Sequence, residues 1–322
     1  MRISIDRVRD ARQRARRLAR RTAAVAYRSI VVPLLGRAET EHALDLACRL
    51  AAERRANVVL VAPILVDQEL PLDARFEREG TVMRARLRRA SELARSYGVG
   101  TKERVIRARE GGLGREVAEV AVDHRAELVV VGAPVESRRG FRRAFPPDVL
   151  GIVRDAPSRV MIVSGPVVRR SRHEKAALSR ILVPMKLGPI GEEMVKTGIK
   201  LAGHQRASVE ALFVIRVPLD QPVDAQLFEE EERAAASLAE AAALGAAQGV
   251  EVTGKKVRAR SIGEAIVEAA AAEGADLVLL GSSPRWRRQK RFFSPTVEYV
   301  LRHATSEVLV VAFPQDATLR PE

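Results

Sequence analysis

Two glycines close two nearly identical apolar runs: Gly132 ends LVVVG and Gly281 ends LVLLG. A glycine where a strand stops lets backbone approach a ligand, and the amides of a following helix can then hold an anion. Past Gly281 the sequence supplies polar groups of that kind, Ser282 and Ser283, then the cations Arg285 and Arg288 of the RWRRQKR run. The plainer reading of that run is a solvated basic loop with Trp286 packed locally. Two further pairs, Arg107 with Arg109 and Arg258 with Arg260, end β-branched segments. Residues two apart on a strand share a face, so each pair is either a contact for an anion or partner, or charge that guards a sheet edge. GGLG at 111–114 lacks the phosphate-loop spacing and the Lys-Ser/Thr pair, and reads as a flexible helix start. The five histidines are scattered, without metal-ligand or triad spacing, so neither a catalytic residue nor a metal site is assigned. Cys48, alone, excludes an internal disulfide, fits a buried small hydrophobe, and favours a reducing, cytoplasmic setting.

The elements that must carry these groups occur twice. SIVVPLLG from Ser29 matches RILVPMKLG from Arg180, and Pro33 to Pro184 is a shift of 151. LPLDARFERE and VIRAR keep that shift against QPVDAQLFEEE and KVRAR, and FPPDVLGIVRDAPSRVMIV meets FSPTVEYVLRHATSEVLVV at 148. One order and nearly one spacing over many blocks mean two copies of one domain. The expected organisation is an arm over 1–28, domains over 29–166 and 179–314, a basic linker over 167–178 and a tail over 315–322. Short β-branched runs alternate with helical patterns in each copy, the signature of βαβ units and a parallel sheet. The spacing predicts strands near 29–34, 57–65, 102–108, 127–132 and 159–164. Their counterparts lie near 180–185, 207–216, 251–259, 276–281 and 306–312. Length and composition agree: 322 residues suit about two domains, and 47% hydrophobic with only 4% aromatic residues favours aliphatic sheets covered by helices.

The opening ILVP-type strand, the DLVLLG strand and the closing TVEYVLRHATSEVLVV segment resemble the universal stress protein family in a tandem form. The PLDA-type loop, the VRAR strand and TVEYVLRHA resemble the stress-protein modules attached to amino-acid permeases. The resemblance implies α/β, doubly wound, Rossmann-like domains with five parallel strands each, paired as an internal pseudo-dimer. It also implies ATP or another adenine nucleotide as ligand, held by Gly-x2-Gly-x9-Gly-Ser/Thr after the fourth strand, with an Asp ending the first. Neither copy keeps that motif. After Gly281 the second glycine falls on Pro284 and the terminal pair on Ser294 and Pro295. After Gly132 it falls on Val135, and the pair on Pro146 and Pro147, while the Asp position reads Leu35 and Lys186. Proline has no N–H to give a phosphate. Two lost hydrogen bonds at ~1.5–3 kcal/mol each would carry a micromolar site toward millimolar. No cofactor is firmly expected, and Lys186, Gly281, Ser282, Ser283, Ser294 and Gly132 are the ligand-binding candidates.

More than half of the +14 net charge lies in residues 1–28, where ten Arg face Asp6 and Asp10. Ile5, Val8, Ala11, Ala15, Leu18, Thr22 and Val25 recur at steps of three and four, which reads as a basic amphipathic helix. A membrane transporter of the amino-acid permease kind, or the membrane surface itself, is the expected partner. Nucleic acid and a solvated helix packed on the first domain are the rivals. The reading is a non-catalytic, cytoplasmic regulatory or sensory module, possible as a peripheral protein at the inner membrane face and as a further homo-oligomer. The alternative is an adenine-nucleotide switch in the second copy.

Overall fold

A computed structural model describes residues 27–52, 56–72, 77–134, 145–164, 178–185, 188–203, 207–282 and 292–313. The first repeat runs β1 (Ser29–Pro33), α1 (Glu39–Ala52), β2 (Asn57–Val66), α2 (Glu77–Ser96), β3 (Gly100–Arg109), α3 (Leu113–Asp123), β4 (Leu128–Gly132), α4 (Pro147–Asp155) and β5 (Arg159–Ser164). The second runs β6 (Arg180–Pro184), α5 (Pro189–Gly203), β7 (Ser208–Arg216), α6 (Phe228–Gln248), β8 (Val252–Ala259), α7 (Ile262–Ala272), β9 (Leu277–Ser282), α8 (Pro295–His303) and β10 (Glu307–Ala312). The chain divides into two compact units, built mainly on one repeat each.

The strand order is β3-β2-β1-β4-β5 in the first repeat and β8-β7-β6-β9-β10 in the second. The neighbours β1–β2, β1–β4, β2–β3 and β4–β5 are parallel, as are β6–β7, β6–β9 and β7–β8. This is the expected doubly wound α/β architecture. β1 and β4 are buried at every residue, which is why their sequences are apolar throughout rather than alternating. β3 and β8 form the rims; β3 is mostly exposed and β8 is half-buried to exposed with no buried residue, which is why charge is tolerated there. Right-handed crossovers send α1 and α2 to one face and α3 and α4 to the other, and α1 packs on α2 and α3 on α4.

The glycines at 111–114 start α3, as expected, and also permit a close helix crossing. Gly111 turns the chain with φ of +77°, Gly112 caps α3, and a Cβ on Gly114 would fall 2.3 Å from the carbonyl oxygen of Gly151 on α4. In the second repeat Ser261 caps α7, its hydroxyl accepting from the Glu264 amide at 3.4 Å. Glu229, Glu230 and Glu231 fill the first turn of α6, where carboxylates complement the helix dipole. No helix among the described residues is long and apolar enough to cross a membrane.

Candidate functional site

Doubly wound sheets bind ligands where the strand order reverses, here between the carboxyl ends of β1 and β4 and of β6 and β9. Gly132 reaches that point in the first repeat, but α1 already uses the space above it. A Cβ there would lie 2.1 Å from the Glu39 carbonyl oxygen and 2.6 Å from the Thr40 nitrogen. Gly281 is used in the same way, since its Cβ would lie 2.4 Å from Ile190 Cγ2 and 3.0 Å from Met194 Cγ of α5. Both glycines are thus accounted for by helix-to-strand packing.

The helix that follows each of these strands differs between the repeats. Pro146 caps α4 with φ −56° and ψ 151°, and Pro147 is its first helical residue, so neither has an amide to offer. The first turn of α4 also holds an anion of its own. Asp148 Oδ1 accepts from the Val149 amide at 2.9 Å, and Arg37 Nη2 donates to Asp148 Oδ2 at 2.6 Å. A carboxylate there complements the positive end of the helix dipole, and Arg37 neutralises it. A phosphate arriving at α4 would meet like charge and two prolines. In the second repeat the half-buried Ser294 precedes α8, Pro295 is its first residue, and Thr296 stands where the first repeat has Asp148. Ser282 is buried at the end of β9, and its carbonyl accepts from the Phe313 amide at 3.1 Å. Lys186, Ser283, Arg285 and Arg288 lie outside the described residues, as does the arm up to residue 26.

The two arginine pairs do related work in the two repeats. Arg107 donates to the Leu72 carbonyl at 2.7 Å, and Arg109 to the carbonyls of Gln68 at 2.6 Å and Asp67 at 3.2 Å. Arg258 pairs with the Glu231 carboxylate, and Arg260 donates to the carbonyls of Pro218 and Gln221. Arg107, Arg109 and Arg260 therefore tie the loop after the second strand to the rim strand, and Arg258 ties the first turn of α6 to it. Their recurrence beside the PLDA-type loop is the sequence signal for that role. The Arg37–Asp148 pair had no such signal, because its partners stand 111 residues apart. Cys48 is fully buried, and its thiol is pushed up to about 12, first by burial and then by the nearby Asp45 carboxylate. It stays a neutral hydrophobe at physiological pH.

The sequence profile of the universal stress protein family matches residues 26–164 and again 178–312. Among solved structures, a universal stress protein from Archaeoglobus fulgidus DSM 4304 gives a TM-score of 0.61 at 11% identity, covering 90% of this chain and 99% of that one. A putative universal stress protein from Pseudomonas aeruginosa UCBPP-PA14 gives 0.57 at 16% identity, covering 90% and 95%. A universal stress protein in complex with cAMP is 26% identical, covers 43% of this chain and 97% of that one, and has a TM-score of 0.34. No curated protein sequence matches. The first two likenesses, at such low identity, speak for the fold alone. The two profile matches cover most of the chain, which belongs to the universal stress protein family and carries two domains of that type in tandem.

Proposed function

We propose that this chain is a non-catalytic regulatory module that works by contact with a membrane transporter, and that its first domain does not read adenine nucleotides. The observation that carries the reading is the start of α4, where Pro146, Pro147 and the Arg37–Asp148 pair stand in place of phosphate-binding amides. A first domain without a nucleotide site would signal through contacts of its surface instead. Support for the partner comes from residues 1–28, whose ten arginines suit the anionic face of a bilayer at ~1 kcal/mol per cation. It comes also from the likeness of the PLDA-type loop and TVEYVLRHA to permease-attached modules. The test is co-sedimentation of the chain with inside-out vesicles bearing an amino-acid permease. Retention that needs the permease and is lost on deleting residues 1–26 supports the reading; no retention, or retention indifferent to the permease, overturns it.

A second reading, an adenine-nucleotide switch in the second domain, is favoured by one observation. Ser294 before α8 and Thr296 in its first turn put hydroxyls where the first repeat has Pro146 and Asp148, and the carboxylate of that turn is Glu298, two residues further on. Calorimetry of the full chain with ATP, AMP and cAMP separates the two. The first reading expects no saturation below the millimolar range. Micromolar binding lost in Ser294→Ala or Lys186→Ala would establish the second.

A further inference from the structure

Between α1 and α2 of the first repeat lies a cavity of about 490 Å³, a size typical of small-molecule sites. Leu34, Leu44, Ala90 and Leu93 give it an apolar wall, and Arg37, Arg86 and Arg89 give it cations. Neither Gly132 nor any residue of α4 lines it, but Leu34, Gly36 and Arg37 do, so it adjoins the position where the strand order reverses and lies on its α1–α2 side.

The charges in this cavity are unevenly matched. Arg89 pairs with Glu41 at 2.9 Å, both largely exposed, and Glu92 lines the same cavity without an ion pair among the described residues. Arg37 spends Nη2 on Asp148, while its Nη1 is buried with no partner among the described residues. For Arg86 the partner found is the Met83 thioether at 3.9 Å, a weak acceptor. Its guanidinium is laid against backbone at Gly36, where a Cβ would fall 2.5 Å from both Nη1 and Nη2. Gly36 also has φ of +73°, so glycine is required there twice over. A planar fork of donors, with no carboxylate paired to it among the described residues, therefore lies beside an apolar wall.

The second repeat shows that this is no generic gap of the fold. The shift of 151 carries Leu44, Ala90 and Leu93 onto Val195, Ala241 and Leu244, which line the same place between α5 and α6. There Arg86 has become Ser237, Arg89 has become Glu240, and the cavity measures about 90 Å³. Among the described residues, only the first copy has both the room and the cations.

We propose that the α1–α2 cavity of the first repeat binds a small organic anion, an oxyanion on a compact apolar body. Arg86 takes the oxyanion in its fork with Arg37 beside it, and the apolar body lies on Leu44, Ala90 and Leu93. The full chain is titrated by calorimetry with phenyl phosphate and with benzoate, and with phenol and inorganic phosphate as controls lacking the charge or the apolar body. At least one of the two probes saturates at one per chain, and which one does tells phosphate from carboxylate as the preferred head group. Arg86→Ala weakens that binding about tenfold or more, Arg86→Lys weakens it less, and Ser237→Ala leaves it unchanged. Melting curves confirm that each variant is folded. The proposal is overturned if neither probe saturates, if binding survives Arg86→Ala, or if phenol or inorganic phosphate binds as well as the probes.

Discussion

Glu210 sits near the start of β7 at 8% exposure, where the shift of 151 places Val59 in the first repeat. Its Oε1 is buried without a partner among the described residues. Burial is the main reason its carboxyl titrates above the ordinary range; the neighbouring Glu273 adds to this, and Lys255 and Arg180 oppose it. A raised carboxyl binds its proton in the folded chain while the unfolded chain has already released it, so stability falls as pH rises through the interval above 4.5. Glu210→Gln removes the penalty. The variant is expected to be more stable than the parent at pH 7, and the gain to vanish below pH 4, where both states of the parent are protonated. Urea midpoints measured across that range check this, and a gain that persists undiminished at low pH would show that something other than ionisation is at work. The same residue shows what composition conceals, since nothing in SVEALFVIR marks its glutamate as buried. It is buried because β7 is paired on both sides and helices pack against the sheet.

At the scale of elements, the strands lie within two residues of where continuous β-branched runs place them, and the helices fill the intervals. Those signals are local, and a central parallel strand has no choice but to be apolar on both faces. The contacts that decide the sites are not local. Gly132 reads as a ligand glycine until α1 is seen to rest on it, and Arg86 reads as one cation among many on α2 until it is found against Gly36. The arginine pairs stand between these cases, because their repetition was legible and their acceptors were not. Arg109 holds the turn after β2 through the carbonyls of Asp67 and Gln68, in a loop with little else to fix it. Arg109→Ala is therefore expected to speed amide exchange over residues 67–72 by about tenfold while global stability changes by less than ~1 kcal/mol. Hydrogen exchange with mass spectrometry reads the first quantity and urea unfolding the second. Unaltered exchange in that loop would mean that Arg107 and the loop's own turn suffice.

For the whole molecule, duplication gave two copies of each position, and the copies have diverged in opposite directions. In the first, α4 starts with prolines and an internal ion pair while the cavity between α1 and α2 is open and cationic. In the second, α8 starts with Ser294 and Thr296 around Pro295, and the cavity between α5 and α6 is small and carries Glu192 and Glu240. Two differences separate the paired cavities, charge and space, and they can be pulled apart. Ser237→Arg with Glu240→Arg gives the second repeat the guanidiniums of the first without enlarging a cavity of about 90 Å³. An aromatic anion buries most of its surface in a site of ~300 Å³ or more, so charge alone leaves it outside. The doubly substituted chain is expected to bind phenyl phosphate or benzoate with the parent's stoichiometry and affinity. A second equivalent bound per chain would show that charge, not volume, had closed the second copy, and that the space between α5 and α6 opens once its acidic wall is reversed.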